Sequence, residues 1–164
     1  MKKLLIIGSA RHGKDTVAEM LNQHFGYTFK SSSQAASEIF IYDALREKYG
    51  YNTPEECFND RGNHRAEWYD LICEYNREDK AKLAKGIMAS SDIYVGMRDD
   101  AEIVECLRQG VFDLIIGVYD NRKPEEAKDS FNINLWEKAD IIIPNSQGLK
   151  QLEWRVLNLE PLLV

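Results

Sequence analysis

Apolar positions recur along this chain in two rhythms. Leu4-Leu5-Ile6-Ile7 is an unbroken apolar run of strand length. Val17, Leu21 and Phe25 then recur at helical spacing until Gly26. Residues 27–30 predict a short second strand, and Ser31-Ser32-Ser33 supplies hydroxyls suited to capping a helix. That helix carries Ala36, Ile39, Phe40 and Ala44 and ends near Gly50. Residues 52–91 read as helical and richly charged, with Thr53-Pro54-Glu55-Glu56 as a helix start. The strand rhythm then resumes at 92–96. A helix over 99–109 follows, stopped by Gly110, and then a strand over 113–118. Residues 120–134 form a polar excursion. A last strand over 140–143 stops at Pro144, and a final helix bears Leu149, Leu152, Val156 and Leu159.

Continuous apolar strands alternating with helices predict a parallel sheet covered on both faces. The expected fold is therefore a three-layer α/β domain over residues 1–164. It has about five strands and a helical insertion between strands 2 and 3. In such sheets ligands bind at the carboxyl ends of the strands. Attention falls on residues 8–16, 31–33, 96–99, 120–123 and 145–148.

Composition narrows the chemistry. The chain has 164 residues, 44% hydrophobic and 29% charged, with a net charge of −6, the profile of a globular protein with a real core. The negative balance argues against general nucleic-acid binding, which needs Lys and Arg to neutralise phosphates. Cys57, Cys73 and Cys106 are odd in number and lack metal-ligand spacing, which predicts a reduced, cytoplasmic setting. Met1-Lys2-Lys3 followed by four apolar residues is too short for a secretory signal. No run approaches a membrane span, so no membrane partner is expected.

The first strand leads into Gly8-Ser9-Ala10-Arg11-His12-Gly13-Lys14-Asp15-Thr16. This is the Gly-x4-Gly-Lys pattern of a phosphate-binding loop, in its strand–loop–helix context. Its glycines let the backbone wrap a polyphosphate, and amides at the helix start point at the anion. Lys14 reaches the outer phosphates as a flexible point charge. A Ser or Thr usually follows the lysine and holds magnesium; here Asp15 stands there, with Thr16 next. Asp15 either binds magnesium, since carboxylates suit that ion, or caps the helix.

Phosphoryl transfer needs charge neutralisation and alignment more than covalent chemistry, so arginines near this loop matter. Arg98 follows the third strand, either facing a substrate phosphate or lying on the surface, and Asp99 or Asp100 suits an N-cap. Arg61, Arg65, Trp68 and Ile72 recur at i, i+4, i+7 and i+11 and would share one helical stripe. Cations grading into an aromatic side chain suit a nucleotide; a solvated charged helix end with a core-facing Trp68 is the alternative. His64 reads as a surface or hydrogen-bonding residue. Arg122-Lys123 lies in the polar excursion, as part of a lid over phosphates or of an ordinary charged loop. Asn145 either reads a purine edge or serves the turn after Pro144.

Three places resemble the phage-type deoxynucleoside monophosphate kinases and, more distantly, dephospho-coenzyme A kinase. They are the loop ending Gly13-Lys14-Asp15-Thr16, the Gly96-Met97-Arg98 turn before an acidic helix, and the 139–148 run from Ala139 through Pro144-Asn145 to Gly148. The chain is short for that family, and residues 59–69 depart from its pattern. The resemblance implies a P-loop kinase fold and a cytoplasmic phosphotransferase, acting in the host cytoplasm if phage-encoded, with ATP as donor and magnesium as cofactor. Its acceptor would be a (deoxy)nucleoside monophosphate. The resemblance implies roles for Gly13, Lys14, Thr16, Arg98 and Asn145; joined with the readings of the residues themselves, the donor site would comprise Gly8, Arg11, His12, Gly13, Lys14, Asp15, Thr16, Arg122 and Asn145, with magnesium at Asp15 and Thr16. The acceptor would meet Ser32, Arg61, Arg65, Trp68 and Arg98, and Lys14, Arg98 and Arg65 would serve catalysis. Within the single domain, residues 52–91 would bind the acceptor and 120–134 would act as a short lid. A kinase for another small acceptor, or a regulatory nucleotide binder without turnover, are the competing readings.

Overall fold

The computed structural model describes residues 1–164. Strands β1 (Leu4–Ile7), β2 (Phe29–Ser31), β3 (Ile93–Val95), β4 (Leu114–Tyr119) and β5 (Ile141–Pro144) form one sheet. Its order is β2-β3-β1-β4-β5, and every pair is parallel. Leu4 and Ile6 of β1 point into one apolar cluster, while Leu5 and Ile7 point into another. Successive side chains of a strand face opposite sides, so a strand covered on both sides must be apolar at every position.

On the Leu4–Ile6 face lie α1 (Lys14–Phe25), α9 (Leu149–Leu157) and α10 (Glu160–Leu163), through Val17, Leu21, Leu152, Val156 and Leu163. The opposite face is covered by α2 (Ser32–Ala36), α3 (Tyr42–Tyr49), α4 (Pro54–Asn59), α5 (Arg65–Tyr75), α6 (Lys82–Met88), α7 (Asp100–Arg108) and α8 (Leu135–Lys138). With the Gly-x4-Gly-Lys loop between β1 and α1, this is a three-layer α/β fold around a five-stranded parallel sheet, as the apolar pattern predicts.

Several local expectations shift by a residue or two. The second strand begins at Phe29 rather than residue 27 because the Thr28 amide and hydroxyl both donate to Asp92, 2.8 Å each, which clamps the chain before the ladder starts. The helix after it is not continuous. Ser37–Ile41 winds as one π turn, with the Tyr42 amide donating to the Ser37 carbonyl. The buried Ser37 hydroxyl donates to Pro54 O at 2.7 Å, and Phe40 stacks on Tyr75 at 4.1 Å between centroids. Of the apolar residues expected on the last helix, Leu152, Val156 and Leu159 are buried, whereas Leu149, which opens α9, is 68% exposed.

Gly117 permits α8 to lie directly on β4, since an added Cβ would meet the Leu135 side chain at 2.9 Å. No helix is long and apolar enough to cross a membrane. All three cysteines are free thiols.

Candidate functional site

Strand order reverses beside β1: the chain visits β2 and β3 on one side and β4 and β5 on the other. A crevice opens at such a reversal, at the carboxyl ends of the strands. The loop after β1 runs into it. Two of its glycines answer to close contacts. A Cβ on Gly8 would lie 2.4 Å from the Val118 carbonyl oxygen of β4. One on Gly13, which has φ +105°, would lie 2.3 Å from Asn145 Nδ2. Arg11 alone among the non-glycine residues adopts a positive φ, 65°. Lys14 folds back over the loop, its Nζ donating to Ser9 O at 2.9 Å. Burial, followed by the neighbouring Arg98 charge, lowers the Lys14 pKa, with Glu126 and Asp15 opposing. Two cations thus converge on one side of the loop.

A cleft of about 430 Å³ lies over the start of α1, lined by Arg11, Gly13, Lys14, Asp15, Thr16, Asp120, Arg122, Lys123, Asn145, Gly148 and Leu149. It gathers most of the residues assigned to the donor site. Asp15 is exposed in the first turn of α1, and no side-chain hydrogen bond caps that helix. Asp15 and Thr16 offer oxygens to a hard cation. No cluster of three His, Cys, Asp or Glu residues is present; magnesium is an ion that keeps several waters and takes one or two carboxylates alongside phosphates.

Asn145 follows β5. Its Nδ2 donates to His12 O at 3.0 Å, and its amide donates to Tyr119 O at 2.7 Å. It therefore braces the loop from the far strand, leaving Oδ1 as the atom free to accept from a ligand. His12 is buried at 1% exposure. Its Nδ1 accepts from the Asp120 amide at 3.1 Å, so Nε2 carries the proton and donates to Pro124 O at 3.0 Å. Its side chain is spent inside the fold.

Arg122 grips Asp120 through Nε and NH2 at 3.0 and 2.9 Å, and also reaches Asn145 O at 3.3 Å. This pairing holds the Asp120 carboxyl down at about 2. The segment proposed as a lid lies packed down: Phe131 and Ile133 are buried, and Asn132 accepts from the Asp100 amide and donates to Asp99 Oδ1. Asp99 does occupy the N-cap position of α7, but that capping bond comes from Asn132.

The acceptor-side residues are more dispersed. Arg98 pairs with Glu126 beside the loop. The stripe expected from Arg61 to Ile72 is broken. Arg61 sits in a separate 3-10 turn, Arg61–Asn63, stacked on Phe58 at 3.9 Å and bonded to Phe58 O. Arg65 begins α5 and is exposed. Trp68 is a core residue, 5% exposed, so it cannot present its ring to a ligand at the surface. Its neighbour Tyr69 is 70% exposed. Cys73 chiefly, then desolvation and Asp99, raise the Tyr69 phenol pKa. Ser32 lies by the Tyr94 phenol, which donates to Glu102 at 3.3 Å.

Of the polar residues Ser9, Asp120 and Glu126, Glu126 alone lies outside the strand-end segments that the sequence singled out. Ser9 and Glu126 meet each other across 117 positions, a separation no local pattern reports. Asp120 carried a readable signal, as the first residue after β4 in the strand beside β1.

No protein-family model matches the chain, and no curated protein is similar to it in sequence. Among solved structures it is similar to shikimate kinase from Aquifex aeolicus, at 13% identity and TM-score 0.48 over 98% of each chain. It is also similar to dephospho-CoA kinase from Campylobacter jejuni, at 14% identity and TM-score 0.47, over 98% of this chain and 96% of that one.

Proposed function

We propose that this chain binds ATP in the cleft over α1 and transfers its γ-phosphate to a (deoxy)nucleoside monophosphate. The observation that carries this reading is the convergence of Lys14 and Arg98 on a loop that is already holding an anion, the Glu126 carboxylate. Donors arranged around a carboxylate suit a phosphoryl group, which asks for the same bonds. Asp15 and Thr16 would hold magnesium, which neutralises charge on the outer phosphates. Leu149 would offer an apolar surface to the base, and Asn145 Oδ1 an acceptor to an amino group.

An acceptor phosphate oxygen attacks the γ-phosphorus as the bond to the ADP oxygen breaks. That oxygen is already anionic, so no side chain need remove a proton. A hydroxyl acceptor would need a base, and the end of β2 with the start of α2 offers only Ser31, Ser32 and Ser33. This favours a phosphate acceptor over an alcohol. Arg98 would stabilise the transferring group, with Arg65 and Tyr69 at the acceptor side of α5. A coupled assay of ADP release across the common NMPs and dNMPs, with and without magnesium, tests the reading. Turnover with a nucleoside or another alcohol, and none with any monophosphate, would overturn it.

A further inference from the structure

The first half of the 120–134 segment lies along the phosphate loop as a strap. Lys123 Nζ donates to Arg11 O at 2.9 Å, His12 Nε2 donates to Pro124 O at 3.0 Å, and the Glu126 amide donates to Ser9 Oγ at 3.1 Å. Residues 123, 124 and 126 thus lie along residues 9–12 of the loop. At the end of the strap the Glu126 carboxylate turns inward. One oxygen accepts from the Ala10 amide of the loop, and the other pairs with Arg98. The Glu126 side chain is only 15% exposed.

A loop amide and a guanidinium are the donors a phosphate would use. Both are taken. Polyphosphate and Glu126 cannot hold the same Ala10 N–H and the same face of Arg98 together. We propose that Glu126 is an internal competitor for the phosphate site: in the free protein it holds the strap closed and Arg98 occupied, and an arriving polyphosphate displaces it. This inference rests on reading Gly8–Thr16 as the phosphate site. Displacement has two consequences. Ligand affinity is reduced by the fraction of molecules held closed. Arg98 becomes free to meet a transferring phosphoryl group only once phosphate is in the loop, which couples donor binding to assembly of the reactive site. The strap's remaining contacts are the Lys123 ammonium on Arg11 O, the His12 ring on Pro124 O and the Glu126 amide on the Ser9 hydroxyl, groups that water can satisfy after release. Glu126 therefore supplies the only charge-assisted bonds from the strap to Ala10 and Arg98.

The test is calorimetric titration of ADP and of magnesium-free pyrophosphate into wild type, Glu126→Gln and Glu125→Gln. Gln keeps the shape of Glu126 and removes its charge. Glu125 is the exposed neighbour, and its substitution removes the same charge from the same segment without touching the loop. A strap closed in nine molecules of ten lowers affinity about tenfold, so Glu126→Gln should tighten both ligands by about that factor and Glu125→Gln by much less. Trypsin cleavage of wild type after Arg122 or Lys128, which needs no variant to fold, should quicken when pyrophosphate is added. Equal gains from the two variants, or cleavage that pyrophosphate slows or leaves unchanged, would overturn the inference. So would weaker magnesium–ADP binding by Glu126→Gln with pyrophosphate unaffected, since Glu126 would then belong to a metal site. If wild type binds neither ligand, the phosphate-site reading falls and this inference falls with it. Tight wild-type binding that Glu126→Gln leaves unaltered overturns this inference alone.

Discussion

Glu102 should make this protein less stable as pH rises through neutrality. The residue lies in α7, where its carboxylate accepts from the Tyr94 hydroxyl at 3.3 Å. Burial raises its pKa from 4.5 to about 7; the Tyr94 bond opposes the rise, Asp99 adds to it, and Lys80 opposes it. In the unfolded chain the group ionises near its ordinary value, so between about 4.5 and 7 the folded state binds the extra proton. Stability falls with pH wherever the native state holds more protons than the unfolded state. The cost is absent below the unfolded pKa and complete above the folded one. At about 1.4 kcal/mol per pH unit, the interval from 4.5 to about 7 amounts to about 3 kcal/mol.

Glu102→Gln keeps an acceptor for Tyr94 and removes the charge. Urea unfolding of both proteins from pH 5 to pH 8 isolates the effect, because every other group titrates in both. The variant should gain on wild type by about 2 kcal/mol across that range, since part of the cost already exists at pH 5. Two stability curves that run parallel from pH 5 to pH 8 would refute the reasoning and show that water reaches the carboxylate.

Three further outcomes are expected. Lys14→Met keeps the stem and deletes the charge beside Ser9; it should lower phosphoryl transfer about 100- to 1000-fold, and near-normal rates would remove the central claim. Asp15→Asn should raise the magnesium concentration for half-maximal activity with little change in melting temperature, because no side-chain bond from this residue caps α1; the opposite pattern in magnesium titrations and melts would return it to a structural role. Arg65→Lys keeps charge but loses a forked donor. The loss of one charge-assisted bond should raise the acceptor KM about tenfold and leave the ATP KM unchanged in steady-state kinetics. A rise in both constants would indicate general destabilisation, and no change in either would make this end of α5 a solvated surface.

The alternation of apolar strands and helices, and the motif from Gly8 to Thr16, were legible from residue order alone because each depends on neighbours in sequence. A strand buried on both faces must be apolar at every position, as Leu4–Ile7 is. A helix must stop where Gly26 or Gly50 turns left-handed. The parallel sheet and the layers on its two faces follow from those local facts. Strand order, and with it the crevice between β1 and β3, belongs to the tertiary structure.

Spacing also left open which side of a helix meets the core. Trp68 and Tyr69 are adjacent aromatic residues, and only the packing of α5 against the sheet's helical layer buries the first and exposes the second. Arg61 and Arg65 keep helical spacing in sequence, yet the 3-10 turn at Arg61–Asn63 interrupts the helix between them. The bond from Asn145 to the loop spans 133 positions, and the Ala10 bond to Glu126 spans 116. Nothing local encodes such pairs. They form because parallel crossovers bring the ends of distant strands to one edge of the sheet, where the loop's unpaired amides and cations take whichever anion the returning chain presents.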